Sequence, residues 1–177
     1  MLNRLPAAKD IIPVYAIVAF LIQVWTISVF IKQLASFSSF LSVNEVLAIL
    51  AYRIAESFLE CLLVVGILIA VAILLPSRAL RDVFAVRGSA FALVLLGSVI
   101  VFWQRFATDP GALMADYIRI WTLCTLLFAC LVSYVSTKSR ALSGFLDWVS
   151  DRTIVFLYVL LPLSVASLIL VLIRNIV

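Results

Sequence analysis

The chain has 177 residues, 66% of them hydrophobic and 12% charged, with a formal net charge of +4. Soluble domains run about 45–50% apolar and about 25% charged, and a small soluble core leaves too much surface in water to absorb this much apolar area. A soluble globule, a disordered tail and a nucleic-acid module are excluded. An all-α, polytopic helix bundle in a membrane is what remains.

Five stretches are long enough for hydrocarbon, which takes about 20 apolar residues per crossing, range about 17–25. They form one transmembrane domain over 1–177, with spans about 11–31, 56–75, 88–104, 119–137 and 153–173. In lipid the backbone must satisfy its own hydrogen bonds, so continuous runs of this kind are helices. No ten-residue alternating pattern points to a barrel.

The first span opens beside Pro13, where a missing N–H costs little near a helix start. Its apolar run exceeds a signal-peptide core of about 7–15 residues, and no small-x-small cleavage pattern follows, so it is read as a retained helix. Beyond it, Ser42-x-x-Glu45 has capping-box form ahead of an apolar run. A helix from there to Leu75 would have about 33 residues and span about 50 Å, against about 30 Å of hydrocarbon. Either the second helix projects past the outer surface, or it breaks into a surface piece near 43–55 and a true span. The lack of Gly and Pro from Val43 to Val65 favours one long helix. Gly66-x-x-x-Ala70 in this helix and Gly97 in the third are small-residue contact candidates.

The loop Pro76–Gly88 carries Arg78, Arg81 and Arg87. It fixes orientation, and it would attract anionic lipid headgroups at about 1 kcal/mol per basic residue near the surface. Before the fifth span, Ser143–Arg152 is short and amphipathic, and Phe145, Leu146, Trp148 and Val149 would dip into the inner headgroup layer. Asp147 and Asp151 lie four apart there without a third ligand, so no metal is assigned; Asp151 serves equally as a helix-start charge. Pro162 in the fifth span removes one helix hydrogen bond, near Ser164 and Ser167. Transporters use such kinks as hinges, and static membrane proteins tolerate them too. No repeat is visible, and five helices do not divide into two inverted halves.

Lys and Arg set the orientation. With the N-terminus inside, eight of the 13 basic residues lie inside and five outside. The N-in, C-out arrangement is therefore expected, in the cytoplasmic (inner) membrane of a prokaryote. Trp103 and Trp121 fall near the outer ends of their helices, as interfacial aromatics do. Gln23 and Trp25 lie deeper, where their polar atoms favour a helix-facing position.

Missing residue types narrow the chemistry. The chain has no His, which closes His-ligated haem, His-based zinc sites and Ser-His-Asp triads to it. Lys9, Lys32 and Lys138 all stand at segment ends. Cys61, Cys124 and Cys130 form no CxxC and read as small apolar residues in lipid or at helix contacts.

The informative charges gather at the outer ends of three helices. Arg53, Glu56 and Glu60 make one stripe on the second helix, Arg105 closes the third, and Asp116 and Arg119 are one turn apart on the fourth. N-in topology puts all six on one side of the membrane. Counting from Leu75, Glu60 lies about 22 Å up its helix, inside the outer hydrocarbon, where a carboxylate must be paired, face the bundle or turn neutral. Arg53–Glu56 and Asp116–Arg119 can pair within their helices. Glu60 has no basic residue one turn away, and Arg119 or Arg105 are its candidate partners. One reading is a charged rim at the interface. Another is an outward-facing polar site for an ion, proton or lipid headgroup, with Glu56, Glu60, Arg105, Asp116 and Arg119 as its binding residues. A third is a contact with another subunit.

The leading expectation is a non-catalytic accessory or scaffolding subunit of a larger membrane complex. The alternative is a small-solute or ion transporter component working around Glu60. A lipid-modifying enzyme is disfavoured without His or a dense acidic motif. No cofactor, metal or nucleic acid is expected. The expected partners are the bilayer, anionic headgroups at Arg78, Arg81 and Arg87, and other membrane subunits or a second copy.

Overall fold

The computed structural model describes residues 6–74, 83–106 and 115–176. Five helices account for nearly all of them: α1 (Ala8–Ser38), α2 (Val43–Leu74), α3 (Phe84–Phe106), α4 (Ala115–Ser136) and α5 (Arg140–Ile176). All five are long and apolar enough to cross a membrane. Their lengths, 22 residues for α4 to 37 for α5, correspond to about 33–55 Å at 1.5 Å per residue. The helices therefore outrun the uncharged stretches at their ends. Arg78 and Arg81 lie outside the described residues.

Helix α2 is continuous from Val43, so the chain takes the long-helix alternative and does not break near residue 55. Its start is a modified capping box. The Ser42 N–H donates to Glu45 Oε2 at 2.8 Å, and the Ser42 hydroxyl donates to the same oxygen at 2.8 Å. The acid reaches back as the motif requires, while the hydroxyl turns to the carboxylate rather than to the helix amides. Helix α5 is continuous as well. The stretch 143–152 forms its first turns, with Phe145 and Trp148 stacked at 6.3 Å and the Arg152 guanidinium 5.5 Å over the Trp148 ring. Because α1 begins at Ala8, Pro13 sits in its second turn rather than its first. The carbonyl this frees is that of Lys9, at a charged helix end where water can take its place.

Helix α1 is the centre of the bundle and touches α2, α3 and α5. Val14, Ala16, Ile17, Val18 and Ala19 are buried in succession, as expected of a helix enclosed on several sides. Val14, Val18 and Ala19 pack with Cys61, Val65, Leu68 and Ala72 of α2 and with Phe84 and Ala92 of α3. Lipid is as apolar as leucine, so helix association here rests on close packing and interhelical hydrogen bonds. Gly88 shows the first: a Cβ there would stand 3.1 Å from Val14 Cγ2 and 3.7 Å from the Phe84 ring. Gly66 is different. It is exposed on α2, and a Cβ there meets nothing within 4 Å. The Gly66-x-x-x-Ala70 stripe thus faces away from the bundle and makes none of the intrachain contact its spacing predicts. A Cβ at Gly97 is likewise unopposed.

Hydrogen bonds tie the helices pairwise. Gln23 Nε2 donates to Ser164 Oγ at 2.6 Å, joining α1 to α5 with both side chains buried. Ser164 in turn donates to the Leu160 carbonyl across Pro162. Gln23 is helix-facing, as its polarity predicts. The Tyr52 hydroxyl donates to Asn175 Oδ1 at 2.9 Å, closing α2 on α5. Helix α4 packs chiefly on α3. There Trp121 Nε1 donates to Ser98 Oγ at 2.9 Å, and Ser98 shares a 2.8 Å bond with Thr125.

Candidate functional site

The antiparallel order brings the first half of α2, the last turns of α3, the first turns of α4 and the end of α5 to one end of the bundle. Phe106 and Tyr117 meet edge to face at 5.4 Å there, and Tyr52 meets Asn175. Arg53, Glu56, Glu60, Arg105, Asp116 and Arg119 stand at this end, but they do not form one cluster.

Glu56 is paired within its helix, its carboxylate 3.8 Å from Arg53 Nη1. Asp116 and Arg119 pair likewise at 3.7 Å, and both are almost fully exposed. Such exposed pairs contribute little to stability. Helix α4 packs chiefly on α3, and this pair makes no contact with Glu60 among the described residues. Arg105, in the last turn of α3, makes no ion pair among the described residues. Neither candidate partner meets Glu60, which has no ion pair and no hydrogen bond among the described residues. Arg53 and Glu56, which line a common cavity with it, lie on its own helix.

Glu60 faces a groove of about 800 Å³ between α2 and α3. Ile22 and Trp25 of α1 form its floor, and Leu168 and Val171 of α5 complete it. Tyr52, Glu56, Leu59, Glu60 and Leu63 line the α2 wall, and Leu96, Val99, Ile100 and Trp103 the α3 wall. Its lip is open: Leu63 is 63% exposed and Trp103 51%. On the other side of Trp25 lies a smaller cavity of about 160 Å³ between α1 and α2, lined by Thr26, Gln33, Arg53 and Ser57. Trp25, Glu56 and Glu60 line both spaces. The acidic stripe therefore stands between a polar crevice and an apolar groove.

Fourteen residues separate Glu60 from the far end of α2, about 21 Å along the axis. Sequence reasoning finds the acid and its place along α2. It does not find the rings around it, because Tyr52, Trp25 and Trp103 come from three helices and only the packing of α2 and α3 on α1 brings them together.

At the opposite end, Arg87 folds back on α4. Its Nη2 donates to Thr137 Oγ1 at 3.2 Å, and its carbonyl accepts from the Ser133 hydroxyl at 3.3 Å. Arg87 thus helps join α3 to α4. Cys61 is fully buried, while Cys124 and Cys130 are exposed.

Comparison with protein-family models, with curated proteins and with solved structures finds no match to this chain.

Proposed function

We propose that the chain is the solute-binding component of a small-solute or ion transporter in a cytoplasmic membrane. Its N-terminus is inside, its C-terminus outside, and the groove at Glu60 opens near the outer face. The observation that carries this reading is Glu60 itself, an acid without an ion pair among the described residues, on the wall of an open groove and about 21 Å from the far end of an apolar helix. A carboxylate in that setting is neutralised by a proton or by a bound cation. A group obliged to choose between the two is suited to binding and release of a charged solute. Ionisable groups within a membrane mark function by default for the same reason. Arg78 and Arg81 would hold the opposite end against anionic headgroups.

One observation favours a second reading, that of an accessory subunit. Gly66 and Ala70 leave a smooth, exposed strip on α2, which would let the helix of another protein approach closely.

Labelling with dicyclohexylcarbodiimide, a lipophilic reagent for protonated carboxyls, separates the two. The transporter reading predicts that Glu60 is modified both in native membranes and after reconstitution in liposomes, and that Glu60→Gln abolishes the label. Protection of Glu60 in native membranes, relieved by detergent extraction, would show that a partner covers it and would favour the subunit.

A further inference from the structure

We propose that the groove between α2 and α3 takes a lipophilic organic cation, meaning one positive centre attached directly to an apolar body, reached sideways from the bilayer. This rests on the reading of Glu60 as a solute-binding acid and names the class of solute.

The lining combines two kinds of side chain. The greater part is aliphatic, from Leu59 and Leu63 on one wall to Val99 and Ile100 on the other. A volume of about 800 Å³ lies within the range of about 300–1,000 Å³ typical of small-molecule sites. Among the aliphatic side chains stand the acids Glu56 and Glu60 and the rings of Trp25, Tyr52 and Trp103. Indole and phenol faces attract cations through the ring quadrupole, most strongly when water is excluded. Glu56 is already paired with Arg53, which leaves Glu60 as the charge to be met.

A hydrated inorganic cation fits poorly, since apart from Glu56, Glu60 and Tyr52 the lining side chains offer it no oxygen ligand. A phospholipid headgroup fits poorly too. In it the anionic phosphate lies between the ammonium and the tails, so seating the tails in the groove would set phosphate against carboxylate. An amine or onium centre joined directly to rings or alkyl groups has no such conflict. The exposed lip formed by Leu63 and Trp103 provides a lateral entrance, so the solute need not leave the hydrocarbon to enter.

The test is equilibrium binding of tetraphenylphosphonium to the purified full-length protein in lipid nanodiscs. Tetraphenylborate, which has nearly the same shape and the opposite charge, is run in parallel. The expected result is saturable binding of the cation alone, weakened at least tenfold by Glu60→Gln, kept by Glu60→Asp, and weakened several-fold by Trp103→Leu. Should Glu60→Gln fail to fold, Glu60→Asp and Trp103→Leu carry the comparison. Equal binding of tetraphenylborate, or unchanged binding by Glu60→Gln, would overturn the proposal. The broader reading fails separately. If sodium protects Glu60 from carbodiimide in liposomes and tetraphenylphosphonium does not, the solute class falls and the binding site stands. If Glu60 is never labelled, both fall.

Discussion

Gly88→Val is expected to destabilise the protein by about 1–3 kcal/mol, the usual cost of forcing atoms into a packed contact, whereas Gly66→Ala is expected to be neutral or to stabilise it by up to about 1 kcal/mol. Both glycines lie inside membrane helices, so helix propensity alone predicts the same sign for both. The structure separates them. A single Cβ at Gly88 already stands 3.1 Å from Val14 Cγ2, and Val14 is fully buried at the centre of the bundle. The neighbour cannot yield without moving α1, which also holds α2 and α5. Adding the two further methyls of valine pushes α3 outward, and with it the Leu96–Trp103 wall of the groove. At Gly66 nothing lies within 4 Å, so alanine only removes the conformational cost of glycine. Thermal unfolding of both variants in the same micelle provides the comparison. Equal effects would mean that α3 does not lie on α1 at Gly88.

Glu60→Leu is expected to leave thermal stability unchanged or higher while abolishing carbodiimide labelling. A core position behaves in the opposite way. Cys61, the next residue, is fully buried against α1, and Cys61→Phe is expected to cost about 1–3 kcal/mol through overpacking. Glu60 has no partner to lose among the described residues, and on the proposed reading its removal relieves the burden of a carboxylate in lipid, about 2.5–3.5 kcal/mol for an acidic residue at the membrane centre and less towards the edge. A residue that lowers stability where it stands has its explanation in function. Parallel melting curves decide the matter. A large loss of stability in Glu60→Leu would show that Glu60 holds the fold together, and the binding reading would lose its main support.

The five long apolar helices, the unbroken second helix and the inward turn of Gln23 are legible in the sequence, because each follows from length, a capping pattern or the cost of an unbonded amide in lipid. The neighbours of Glu60 are not. In a soluble helix the apolar stripe tells which side packs. In α2 the side that meets α1, with Val65 and Leu68, and the side that meets lipid, with Leu63 and Ile67, are equally greasy. Nothing in the sequence therefore chooses between α3 and α4 as the helix beside Glu60, and Arg119 is as plausible a partner there as any residue on α3. Packing decides it. Gly88 admits α3 to the surface of α1, and α4 then attaches to α3 through Trp121, Ser98 and Thr125, which carries Arg119 away from the acid. The same ambiguity misplaces Gly66, whose spacing is that of a contact and whose direction is outward.

Spin-label accessibility at position 60 probes the central claim most directly. A nitroxide at Glu60→Cys, in a chain freed of Cys61, Cys124 and Cys130 and reconstituted in liposomes, would report high collision with oxygen and low collision with a water-soluble nickel chelate. That pair of values places the side chain in a space open to lipid. Low collision with oxygen would put position 60 under protein, and high collision with the nickel chelate would put it in water; either would contradict a carboxylate waiting in a lipid-open groove.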